Sequence, residues 1–300
     1  MENKNKSQSD EPLLSTMPVI LLLLDGFGIA PDNEGNALSL AETPNINNII
    51  KDYPAASLNT LASSINARYL SIGSGCDRED ENEVAIETIS KILEENNLKQ
   101  LKIAETLRLA SLTYFFNGSR DIKYQNEEWK TISSSVNNKD FNDSASNLIF
   151  KELFKELDKE KPADFIVASI SAINLSASEG NVNKTKKTIC EVDKKLKKLV
   201  TKILEKNARL IVSSATGNAE KMIDLGTDML DKEITNNPLP IILVGEGYEG
   251  FSIATHDLGN GDLSLLEKVG TLADLAPSIL ALLGIEKPEV MIGKNLFSNL

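Results

Sequence analysis

Residues 17–30, MPVILLLLDGFGIA, decide the fold. Six apolar residues, Val19 to Leu24, run without a break and meet Asp25, Gly26, Phe27 and Gly28. A short apolar run closed by glycine reads as a strand buried on both faces. Such strands sit in the middle of parallel sheets that carry helices on either side. Asp25 then falls at the strand's carboxyl end, where open α/β sheets place their ligands. Gly26 and Gly28 permit a sharp turn and leave room beside the carboxylate. A carboxylate so placed suits a hard cation or an anchored water; the plainer reading is that it caps the turn.

Outward from this strand, the chain alternates between strand and helix patterns. Strands are expected at 55–61, 101–104, 111–116, 129–133, 164–170, 209–213 and 239–244. Thr43 and Pro44 supply an N-cap and a first-turn proline for a helix to about residue 51. Further helices are expected at 84–96, 144–161 (closed by Pro162), 181–206 and 273–283, the last kinked at Pro277 and stopped at Gly284. The run 70–75, LSIGSG, reads as a small-residue loop packed against the sheet. The alternation implies one α/β domain over 17–300, a mostly parallel sheet with helices on both faces. Residues 1–16 are polar, lack the apolar core of a signal peptide and read as a disordered tail.

Composition narrows the function classes. The 300 residues are 41% hydrophobic, enough to bury a core, and the net charge is -12. That field repels nucleic acid and anionic membranes, so neither is expected as a partner. Cys76 and Cys190 form no framework and no C-x-x-C site, which fits a reducing, cytoplasmic setting. No apolar run reaches the roughly 18 residues of a spanning helix. His256 is the one histidine, so this chain by itself builds no multi-histidine metal site.

Several segments carry a family likeness. Residues 19–46 (VILLLLDGFGIAPDNEGNALSLAETPNI) resemble the opening of cofactor-independent phosphoglycerate mutases, members of the alkaline phosphatase superfamily. Residues 96–119 resemble the segment where those enzymes re-enter their phosphatase domain. The runs 164–170, 217–220 (GNAE), 237–244 (NPLPIILV) and 271–296 continue in the family's order. The resemblance implies an alkaline-phosphatase-like sheet with two divalent metals, Mn²⁺ or Zn²⁺, at the strands' carboxyl ends. It also implies a metal-activated serine that takes and returns a phosphoryl group.

The likeness breaks at the chemistry. Set against the family's G-N-S-E-V-G-H segment, the nucleophile position falls on Ile65, or on Ser64 with a slip of one, and Asn66, Arg68 and Tyr69 replace Glu, Gly and His. The family's D-x-x-G-H ligands become Asn174 and Ser178, its D-H pair becomes Ala215 and Thr216, and a further His becomes Ile234. The active-site lysine becomes Arg108. Only Asp25 survives among the metal ligands. Residues 76–83 (CDREDENE) stand where the family inserts its substrate-binding domain.

A lone carboxylate holds Mn²⁺ or Zn²⁺ weakly, because these ions want about four ligands. Turn and core residues meanwhile keep the family pattern. The expectation is a catalytically inactive relative, with no cofactor, kept to bind a protein or small-molecule ligand and acting as a monomer. The alternative is a metal-dependent phosphoryl-transfer enzyme, mutase or phosphatase, with an altered site around a single Mg²⁺. It requires Asp32 or Glu34 to converge on Asp25, with Arg108 assisting. His256 reads as a surface or capping residue.

Overall fold

Residues 17–134, 144–253 and 263–300 are described by a computed structural model. Val19–Leu24 forms strand β1, with all six side chains buried. Its unbroken apolar run has a cause on each face. Ile20, Leu22 and Leu24 enter one core, while Val19, Leu21 and Leu23 enter another. Side chains alternate along a strand, so a sheet covered on both sides needs apolar residues at every position.

The sheet has eight strands. β1 lies between β5 (Phe165–Ile170) and β6 (Arg209–Ser213), parallel to both. Beyond β5 come β3 (Gln100–Glu105) and β4 (Glu127–Ile132), also parallel. On the other side, β9 (Leu239–Val244) runs antiparallel to β6 and to β2 (Ala55–Asn59), and β10 (Lys268–Thr271) closes that edge. A separate small hairpin joins β7 (Ile223–Asp224) to β8 (Met229–Leu230).

Helices α1 (Pro44–Asp52), α4 (Ala145–Leu157), α5 (Ala172–Ser178) and α6 (Val182–Glu205) supply the first core. Helices α2 (Ile65–Ser74), α3 (Ile89–Glu95) and α7 (Leu275–Leu282) supply the second. Thr43 precedes α1 but its side chain makes no cap bond. Asp193 on α6 does that work, accepting from the Asn45 amide at 3.1 Å and the Ile46 amide at 2.8 Å. A carboxylate there satisfies orphan donors and complements the helix dipole.

Four local expectations are corrected. LSIGSG is not a loop but the end of α2, which Ser64 caps through a 3.1 Å bond from the Ala67 amide and Gly75 ends in the left-handed conformation. The small residues permit close packing, since a Cβ on Gly73 would stand 2.0 Å from the Phe116 carbonyl oxygen. Residues 84–88 are not helical: α3 starts after its N-cap Thr88, and Val84 and Ile86 point outward. Residues Ser111–Phe115 form a π-helical turn, not a strand. Pro277 sits in the first turn of α7, where its missing amide costs no intrahelical bond and no kink is required.

A buried ion pair ties β3 to β4. Lys102 Nζ lies 2.6 Å from Glu127 Oε1, and the Asn117 side chain bonds to both residues. Burial lowers the Lys102 pKa to about 8, against the opposing pull of Glu127. Among the described residues no helix is long and apolar enough to cross a membrane. The tail 1–16, the loop 136–142 and His256 lie outside the described residues.

Candidate functional site

The site is built on the turn that follows β1. Asp25 donates its amide to the Ile170 carbonyl at 3.0 Å, and its own carbonyl accepts from the Asn174 amide at 2.9 Å. Gly26 takes a φ of 99°, and a Cβ there would stand 2.5 Å from the Asn174 nitrogen. A Cβ on Gly28 would fall 2.3 Å from the Glu220 carboxyl carbon. The glycines thus make room for the Asn174 backbone and for Glu220, and not for space beside Asp25 as expected.

The Asp25 carboxylate is completely buried, and its Oδ2 is crowded. Arg108 Nε donates to it at 2.8 Å. Tyr69 OH lies 3.2 Å from Oδ2 and 2.9 Å from Ser169 Oγ, which is itself 3.3 Å from Oδ2. Oδ1 finds no hydrogen-bond donor among the described residues. Arg108 also reaches Asn174 Oδ1 through Nη2 at 2.9 Å. Burial, the largest single influence, lowers the pKa of this guanidinium, but the charge and hydrogen bond of Asp25 together with the charges of Tyr69 and Glu105 outweigh it and the net shift is upward. Burial, then the charge of Asp25, pushes the Tyr69 phenol well above its ordinary value, so it stays a neutral donor.

A second guanidinium lies close by. Arg68, on α2, donates to the carbonyls of Ala62 at 3.3 Å, Ala215 at 3.2 Å and Thr235 at 3.0 Å, and to Asn236 Oδ1 at 2.7 Å. Burial lowers its pKa, while the charges of Asp25 and Glu220 oppose that shift. Glu220 is also buried, and burial raises its pKa; its Oε1 accepts from Thr235 Oγ1 and from Asn237 Nδ2.

The remaining candidate positions are occupied in other ways. Ile65 opens α2 and packs against the second core. Ser64 Oγ donates to Glu81 Oε2 at 2.7 Å while capping α2. Ser178 Oγ accepts from the Asn218 amide at 3.2 Å. Ala215 is buried, and Thr216 Oγ1 accepts from the Gly26 amide at 3.1 Å. Ile234 is exposed. Asp32 and Glu34 are exposed loop residues that make no contact with Asp25. Among the described residues, no three His, Cys, Asp or Glu side chains come together as a metal cluster. The donors on the Asp25 carboxylate are the Arg108 guanidinium, the Tyr69 phenol and the Ser169 hydroxyl, with the Arg68 guanidinium bound to neighbouring carbonyls. A fixed cation and hydrogen-bond donors of this kind do not supply the ligand set that Mn²⁺ or Zn²⁺ wants.

Comparison with known proteins places this chain in a family. The model of the Metalloenzyme superfamily matches residues 17–287. The chain belongs to that superfamily. It is 32% identical over 212 residues to the 2,3-bisphosphoglycerate-independent phosphoglycerate mutase of Clostridium acetobutylicum, covering 70% of this chain and 39% of that protein. The chain therefore spans well under half the length of such relatives. The matching region is their phosphatase domain. Among solved structures, a Leishmania mexicana phosphoglycerate mutase superposes with a TM-score of 0.58 at 22% identity, over 70% of this chain and 39% of that one. An alkaline phosphatase superfamily protein from Vibrio parahaemolyticus superposes with a TM-score of 0.62 at 15% identity, over 95% of this chain and 71% of that one. At such identities the structural matches establish the fold alone.

Within this Metalloenzyme domain, Tyr69 and Ser169 beside Asp25, Glu81 beside Ser64, and Arg68 are neighbours of the candidate positions that the sequence alone does not assemble. Arg68 and Tyr69 stood out only as departures from a family motif. Their new partners lie up to 168 residues away along the chain, as for Arg68 and Asn236.

Proposed function

We propose that this chain is a catalytically inactive relative of the cofactor-independent phosphoglycerate mutases, its fold kept to bind a protein or a small ligand. The observation that carries the reading is the 2.8 Å contact between Arg108 Nε and Asp25 Oδ2. A fixed cation already neutralises the one carboxylate that the family resemblance assigns to metal. The hydroxyl nearest the nucleophile position supports it, since Ser64 is engaged as a helix cap and as a donor to Glu81. On this reading no metal cofactor is required, and the protein works as a monomer in a reducing, cytoplasmic setting. Cys76 and Cys190 are unpaired, in keeping with that setting.

A second reading rests on Asp25 Oδ1, which finds no donor among the described residues. That oxygen would serve a single Mg²⁺, which keeps several waters and needs few protein ligands, only if the buried site opened to admit the ion. The domain would then be a phosphoryl-transfer enzyme with an altered centre.

Turnover separates the two. Purified protein is assayed with 3-phosphoglycerate and with a chromogenic phosphate monoester, in millimolar Mn²⁺, Zn²⁺ or Mg²⁺. The inactive reading expects no release or transfer above a protein-free control. Activity that disappears with chelator and with Asp25→Ala would establish the second reading instead.

A further inference from the structure

Of the five arginines in the chain, two are buried, Arg68 with 1% and Arg108 with 7% of their surface exposed. Both sit at the carboxyl end of the sheet, and both cross-link loops. Arg108, in the short 3-10 turn after β3, joins that turn to Asp25 after β1 and to Asn174 on α5 after β5. Arg68, on α2, joins the approach to α2 at Ala62, the loop after β6 at Ala215 and the approach to β9 at Thr235 and Asn236.

We propose that these two guanidinium groups are internal cations that hold the loops of the site together, so that the fold needs no bound metal for its integrity. The inference rests on the inactive reading for its meaning but concerns folding alone. Three observations carry it. The two positions that the family resemblance gives to aspartate ligands hold neutral Asn174 and Ala215, so negative charge is thinned where fixed positive charge appears. Asn174 and Ala215 are direct partners of the two guanidiniums, Arg108 through the side-chain oxygen and Arg68 through the backbone carbonyl. The planar fork of arginine also suits the work, because it spans several acceptors at fixed angles as a compact ammonium cannot. Arg68 uses it on four acceptors at once.

The test is made on the whole chain, by thermal unfolding and by hydrogen exchange. The wild-type melting temperature is expected to move by less than about 1 °C on adding EDTA or millimolar Mn²⁺ or Zn²⁺, since a ligand stabilises only the state that binds it. Arg68→Ala and Arg108→Ala are each expected to lower it by about 5–10 °C, because each leaves buried acceptors without a donor. Exchange reads the two cross-links separately. Loss of Arg68 should speed the Thr235 amide, which donates to Gly217, and loss of Arg108 should speed the Asn174 amide, which donates to Asp25. Should an alanine variant fail to fold, Arg68→Lys and Arg108→Lys keep the charge but not the fork, and the same local acceleration is expected. Wild-type exchange and melting in the lysine variants would overturn the proposal. So would a wild-type melting temperature that rises with Mn²⁺ or Zn²⁺, even with no turnover. Turnover with a metal-independent melting temperature would instead sink the inactive reading and leave this one standing.

Discussion

Asp25 Oδ2 gathers Arg108, Tyr69 and Ser169 within 3.3 Å, in a site closed to solvent. Two charges taken out of water cost several kcal/mol each, and their attraction repays this only while both are present. The energetic signature of the pair is therefore non-additivity. Asp25→Asn or Arg108→Met alone is expected to cost about 3–5 kcal/mol, and the double variant markedly less than the sum. A double-mutant cycle in urea measures this, and strictly additive costs would show that the two groups do not stabilise each other. At this scale Asp25 was legible in the sequence, because a carboxylate after a buried strand has a fixed address. Arg108 was legible as a charge, but its partner lies 83 residues away and no local pattern names it. Tyr69 was legible only as a lost histidine; its bond to Ser169 spans 100 residues.

Among the elements, those with strong periodicity were legible, as were the short strands β2, β3 and β4, whereas α2, α5, β10 and the β7–β8 hairpin were not. β1, β5, β6 and β9 are continuous apolar runs, and α6 carries a clear amphipathic stripe. The end of α2 was missed because SIGS is poor in helix formers, and tertiary approach to Phe116 decides it. The π-helical turn 111–115 has no signal separable from a strand over so few residues. The buried Lys102–Glu127 pair between β3 and β4 gives this region a pH dependence. The folded-state pKa of Lys102 is depressed, to about 8, by burial. Between that value and about 10.4, the unfolded lysine holds a proton that the folded one has released. Stability from this residue therefore rises as pH climbs through that window and is absent below it. Urea midpoints from pH 7.5 to 10 should show the rise in wild type and lose it in Lys102→Met/Glu127→Gln. Parallel profiles for the two proteins would contradict the assignment.

Over the whole molecule, the alternation of strands and helices was enough to give a mostly parallel sheet between two helical layers. The reversed direction of β9 was not, because strand direction depends on which loops cross the sheet and not on the strand's own residues. The two cores keep the architecture of a Metalloenzyme domain, while the loops at the carboxyl end of the sheet carry guanidinium groups that meet the Asp25 carboxylate, the neutral Asn174 side chain and backbone carbonyls. That division follows from physics. Core burial is spread over dozens of apolar contacts and tolerates exchange, whereas a metal centre fails once a few donors are gone. On the reading proposed here, the Arg108 guanidinium stands beside Asp25 in the place a dication would take. Calorimetric titration of chelator-treated protein with Mn²⁺ tests it most directly, with Asp25→Ala as the reference. No binding heat is expected up to millimolar metal in either protein. One-to-one binding at micromolar Mn²⁺ in the wild type, lost in Asp25→Ala, would contradict it.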